Sequence, residues 1–192
     1  MAPATALKDA IKNFEATKGV KAAETEKVEL FGQEPPIVKL DSALGTLKAC
    51  KHLALSTNSI GAISNLAGLD SIKVLSLGRN QIKKFENIEA VADTLEEIWI
   101  SYNLIEKLSG LDKARKLKKL YMSNNLIEKW SEIEKLQANP ELEEVLFQGN
   151  PFVDEDNAAY RIQMIKTLPN LKKIDGLPVD VDEREAAQAA EE

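Results

Sequence analysis

The sequence is poor in the residues from which reactive or covalently stapled sites are made. Its 192 residues include one cysteine, Cys50, and one histidine, His52. A single cysteine excludes an intramolecular disulfide framework and fits a reducing compartment. A structural zinc site usually takes four Cys or His ligands, so these two fall short of one. There is no glycine-rich phosphate loop, and no Ser–His–Asp arrangement is supported by spacing. One histidine and one cysteine leave few nucleophile–base pairs. No enzyme and no cofactor are therefore expected. Long apolar runs are also missing: the start, MAPATALKDAIKNFEATKG, reads as neither a signal peptide nor a membrane span. A basic excess is missing too, with 25 Lys and Arg against 31 Asp and Glu and a net charge of −6. That balance lacks the footprint of a nucleic-acid binder. At 44% hydrophobic and 29% charged, the chain reads as soluble, globular and cytosolic.

What is present is a repeat. Cys50-x-x-Leu53-x-Leu55-x-x-Asn58-x-Ile60 is followed by equivalents centred on Leu75-Ser76-Leu77, Ile98-Trp99-Ile100, Leu120-Tyr121-Met122 and Val145-Leu146-Phe147. Successive asparagines, from Asn58 to Asn150, are 22, 23, 22 and 25 residues apart. A degenerate first copy reads Val28-x-Leu30-x-x-Gln33. This is the leucine-rich repeat. In L-x-L the two apolar side chains leave a short strand on one side and the middle residue on the other. The asparagine amide both donates and accepts, which suits the turn that follows. No single repeat buries its apolar face, so neighbours must stack. The expected fold is α/β: a right-handed leucine-rich-repeat solenoid of about six repeats, with a parallel concave sheet and convex helices.

Residues 1–192 read as one domain: an N-terminal helical cap over 1–27, repeats over 28–153, and a C-terminal cap with a terminal helix over 154–192. Leu7, Ala10, Ile11 and Phe14 share one helix face, with Thr5 as N-cap and Gly19 as stop. Tyr160–Leu168 is helix-patterned. Asp180–Glu192, polar and alanine-rich, reads as a helix fraying into solvent.

Function is sought at positions the core does not claim. The middle outward row is read as Phe31, Ala54, Ser76, Trp99, Tyr121 and Leu146. One flanking row is Glu29, His52, Val74, Glu97, Lys119 and Glu144. The other is small and polar: Ser56, Gly78, Ser101, Ser123 and Gln148. Trp99, Tyr121 and Leu146 then form a contiguous apolar patch with no core to bury it, the mark of an interaction site. The expected partner-binding residues are Phe31, Val74, Ser76, Glu97, Trp99, Tyr121, Leu146 and Tyr102. His52 reads as a solvated or hydrogen-bonded histidine, Cys50 as a buried small hydrophobe, and Trp130 as core. The basic run Lys113, Arg115, Lys116, Lys118 and Lys119 reads as a solvated convex face, with an acidic tubulin tail as its alternative contact. Asp154, Glu155 and Asp156 lack the spacing of a calcium loop.

The repeat resembles the SDS22-like subclass, and Leu168-Pro169-Asn170-Leu171-Lys172-Lys173-Ile174-Asp175-Gly176 resembles that subclass's cap. Leu53–Asn58, Leu75–Asn80, Thr94–Asn103, Leu120–Asn125 and Pro35-Pro36-Ile37, in that setting, resemble the light-chain-1 family of axonemal outer-arm dynein. The resemblance runs from Thr5 to about Arg184. It implies a non-catalytic subunit of the ciliary or flagellar motor, monomeric when alone, in the cytoplasm and the axonemal cytoskeleton. It implies binding to the microtubule-binding stalk head of a dynein heavy chain, with tubulin as a further contact and no nucleic acid or membrane. It also implies a regulatory C-terminal segment, here Leu177, Asp180 and Arg184. The alternative reading is a leucine-rich-repeat regulatory subunit of a Ser/Thr protein phosphatase.

Overall fold

The computed structural model describes residues 3–153 and 157–189; the acidic run Asp154–Asp156 lies outside them. Eight short strands form one sheet in sequence order: β1 (Lys27–Glu29), β2 (His52–Ala54), β3 (Val74–Ser76), β4 (Glu97–Trp99), β5 (Lys119–Tyr121), β6 (Glu144–Leu146), β7 (Lys173–Ile174) and β8 (Leu177–Pro178). The first seven run parallel, and β8 turns back antiparallel to β7. Register follows the repeat: Val28, Leu53, Leu75, Ile98, Leu120, Val145 and Ile174 lie side by side and are at most 1% exposed.

Stacking is held by a ladder of asparagine amides. Asn103 Nδ2 donates to Leu77 O at 3.0 Å and to Ile100 O at 3.1 Å, while its Oδ1 accepts the Ile82 N–H at 2.9 Å. Asn58, Asn80, Asn125 and Asn150 repeat the pattern. Each reaches back to the preceding coil. Gln33 does not join: its Nε2 bonds only Phe31 O, two residues away. At the far end Asp175 takes over with a carboxylate, accepting the N–H groups of Phe147 and Gln148.

The convex side is leaner than the repeat alone suggests. The return segments before β6 are 3₁₀ turns at Ser42–Thr46, Ile88–Val91 and Leu111–Lys113, and α-helix appears among them only as α2 (Trp130–Glu134), continued by a 3₁₀ turn at Lys135–Ala138. A 3₁₀ turn rises about 2.0 Å per residue against 1.5 Å for α-helix, so it spans the same width with fewer residues. Left-handed residues also cut the returns short: Asn65, Gly68, Asn87 and Gly110 all have positive φ. At Gly110 a Cβ would stand 2.6 Å from Phe85 O, so glycine is required there. The α-helical return α2 lies in the 25-residue interval from Asn125 to Asn150.

Both ends are capped. Helix α1 (Leu7–Lys18) lays Leu7, Ala10, Ile11 and Phe14 on the first coil and stops at Gly19, φ 67°. Its N-cap residue is Ala6, not Thr5, whose hydroxyl instead donates to Pro35 O and ties the cap to the first loop. At the other end come α3 (Asn157–Thr167) and α4 (Val181–Ala189). Instead of fraying, the described part of the terminal helix is docked. Arg161, 6% exposed, donates to Ile174 O, Pro178 O and both carboxylate oxygens of Glu183, and Ala187 is buried.

Candidate partner-binding surface

The concave sheet presents three outward rows, and the first coil corrects the row assignment made from sequence. Lys27 pairs with His52 and Glu29 with Ala54. Val28 and Leu30 are both fully buried, so strand alternation puts Glu29 between them and sends it outward into the middle row. Lys27 heads the flanking row. Phe31 is two residues further on and falls level with Ser56, whose carbonyl accepts from Gly32 N. It is 55% exposed beside Phe14 of α1, away from the central patch.

The remaining middle row is as expected. Ser76, Trp99, Tyr121 and Leu146 are in register. The Trp99 and Tyr121 rings stack at 6.0 Å with 24° between their planes. His52 closes the other side of the indole edge-on, with centroids 5.2 Å apart. The histidine is thus a packing partner for Trp99, a role that register two residues before each middle-row position makes visible. Burial first, and then the Lys27 charge, hold its imidazole below the usual histidine pKa despite Glu97 and Glu29. It is neutral at pH 7.

The flanking row is a charge ladder that neutralises itself. Glu97 accepts from Trp99 Nε1 at 3.0 Å and pairs with Lys119 at 3.1 Å. Glu144 pairs with Lys173 at 2.9 Å. Burial alone would raise the Glu144 pKa, but hydrogen bonds from Lys173 and Tyr121 outweigh it and keep it low. Burial, then that bond to Glu144, lift the Tyr121 phenol far above its ordinary range, so it stays a donor. Val74 sits in the same row, half-buried. On the opposite flank Ser56 pairs with the hydroxyl of middle-row Ser76 at 2.9 Å, and Ser123 donates to Ser101 at 3.0 Å. Ser56, Ser76, Gly78 and Ser101 floor an open hollow of about 230 Å³ walled by Trp99, Tyr121 and Leu146.

The other expected residues stand elsewhere. Tyr102 lies in the turn after β4 with φ 58°, 48% exposed, the Arg79 guanidinium 4.4 Å over its ring. Leu177 is 55% exposed on β8. Asp180 and Glu183 cap α4 reciprocally, each carboxylate accepting the other's N–H. Arg184 is engaged within the cap, donating to Pro169 O and Leu171 O. The basic run divides: Lys118 pairs with Glu96, Lys119 joins the concave ladder, and Lys113 pairs with Asp112. Trp130 is half-buried rather than sealed in the core. Cys50 is fully buried and its thiol is pushed up to about 11, chiefly by burial, so it is not a nucleophile at pH 7. Among the described residues, no helix is long and apolar enough to cross a membrane.

Stacked coils, an asparagine ladder and an uncovered aromatic stripe define a leucine-rich-repeat protein with an open concave face. The leucine-rich-repeat family model matches residues 46–191. A chain of the Drosophila melanogaster SNF/U2A′ complex shares the fold with a TM-score of 0.68 and 26% identity, covering 80% of this chain and 92% of that one. Dynein axonemal light chain 1 of Chlamydomonas reinhardtii is 60% identical over 195 residues, covering 99% of this chain and 98% of the relative. The human protein of that name is 47% identical over 181 residues, 93% of this chain and 95% of the relative. The chain belongs to the dynein axonemal light chain 1 family.

Proposed function

We propose that the protein is a non-catalytic light chain of ciliary outer-arm dynein that grips the microtubule-binding stalk head of a heavy chain and tunes the motor. The observation that carries this reading is the Trp99–Tyr121–Leu146 stripe, an apolar surface with aromatic anchors and no core above it. The neighbouring rows support it. The Ser and Gly hollow lets a partner backbone approach closely, and the internally paired ladder offers polar rims that need no rescue by the partner. The family's axonemal name gives the setting. Leu177 and the α4 segment, at the end of the solenoid, are the region from which contacts with the motor or tubulin are made. The docking of Asp180 and Arg184 gives these two residues the task of holding that segment in place.

The test is calorimetric titration against a recombinant outer-arm stalk head, with wild type beside Trp99→Ala. Truncation of an interface tryptophan is expected to cost about 2 kcal/mol or more. Unchanged binding by a folded Trp99→Ala protein would move the site off the concave face. Absence of binding by wild type would overturn the stalk-head assignment.

A further inference from the structure

A second aromatic cluster lies away from the concave sheet. Trp130, Phe152 and Tyr160 meet with ring centroids 5.7, 6.1 and 6.4 Å apart and planes inclined by 56° to 85°. Such rings form the walls of a corner, not a stack. With Glu128 and Gln163 they line a hollow of about 240 Å³, and Glu128 is exposed at its rim. The corner sits past the asparagine turn, since Glu128 and Trp130 follow Asn125 by three and five residues.

The repeat makes this opening unusual. The residues equivalent to Trp130 in the three preceding coils are Ile63, Phe85 and Leu108, and none is more than 5% exposed. Among the described coils, that of Trp130 leaves this framework position partly open, and it does so with the ring type that has the strongest negative face. Trp130 and Phe152 are half-buried and open to the hollow while Tyr160, 3% exposed, backs them, so a cation seated there lies within the roughly 6 Å over which it is attracted to the two open rings. A carboxylate at the mouth adds charge of the right sign. A bare ammonium is strongly hydrated and is costly to strip of water, whereas a methylated one brings an apolar shell.

We propose that this corner binds an N-methylated ammonium group, of the kind carried by a trimethyllysine side chain or by a small choline-like molecule. The proposal is independent of the concave site, and its test uses a different readout. In a Trp99→Phe background Trp130 is the only tryptophan, so its fluorescence reports the corner directly. The probes are choline, its neutral isostere 3,3-dimethylbutanol, and a short peptide with trimethyllysine beside the same peptide with unmodified lysine, all at matched ionic strength. Saturable change with choline, the methylated peptide or both is expected, and which of them binds identifies the source. The neutral isostere should bind about 3- to 30-fold more weakly. Glu128→Gln, a surface change that leaves the rings intact, should weaken binding by about two- to fivefold. No saturable response to either cation, or equal binding of the neutral isostere, would overturn the proposal.

Discussion

Asn103 has one carbonyl and two N–H groups, and the turn that it occupies uses all three. Its partners are backbone groups of two successive coils, and the side chain is 5% exposed. Replacing it with alanine leaves the buried Ile82 N–H without its acceptor and takes one of two amide donors from each of the Leu77 and Ile100 carbonyls, which keep Asn80 and Asn125. Asn103→Ala is expected to destabilise the fold by about 3 kcal/mol, read as a lower urea midpoint at unchanged m-value. A loss below about 1 kcal/mol would mean that the ladder is geometry without energetic consequence. Trp99 is the contrasting residue. It is half-buried by His52 and Tyr121 and caps no backbone group, so its truncation should register in binding and far less in folding.

At the level of elements, what the sequence discloses divides along the coil. The strands and turns were legible because Leu75-Ser76-Leu77 and Asn80 have roles fixed by alternation and by amide chemistry. The convex returns were not, because Asn65, Asn87 and Gly110 adopt left-handed conformations that interrupt helices, and neither residue type announces this alone. Phe31 was misplaced for a related reason: the first coil has no asparagine to set its frame, and only the burial of Val28 and Leu30 fixes which residues face outward. The anchoring of Arg184 was not legible, because nothing local indicates that the carbonyls of Pro169 and Leu171 lie within its reach.

Helix α4 supplies a pH test. The hydrogen bonds from Arg161, ahead of its charge, hold the Glu183 carboxyl below the usual carboxylate range even though burial opposes this. A depressed folded-state pKa stabilises above the unfolded value of about 4.3 and is lost as pH falls through the lower folded value. Helix α4 should therefore stay docked from neutrality to about pH 4 and release below it, read from the amide chemical shifts of Ala186 and Ala187. Glu183→Ala should release it at neutral pH and cost about 3 kcal/mol, because Arg161 then remains buried without its counter-charge. A docked α4 in that variant would show that Ala187 packing and the Arg184 bonds to Pro169 O and Leu171 O suffice.

For the whole molecule, a net charge of −6 coexists with a concave face whose charges are already paired. A partner seated on Trp99 and Tyr121 meets little unbalanced field, so its affinity should depend on apolar burial more than on steering. Raising salt from low to several times physiological strength is expected to change stalk-head affinity by less than about tenfold. A steeper loss, followed by titration at stepped ionic strength, would indicate that unpaired lysines at the rims carry the contact.

The backward reach of the asparagines also sets an order of assembly. The Leu30 and Leu55 carbonyls and the Ile37 N–H that Asn58 bonds are all synthesised before it, and the same holds for each later rung. A coil leaving the ribosome is therefore held open until the next asparagine has followed it out. The nascent chain matures one repeat behind its own synthesis, and the final coil is fastened only when Asp175 arrives.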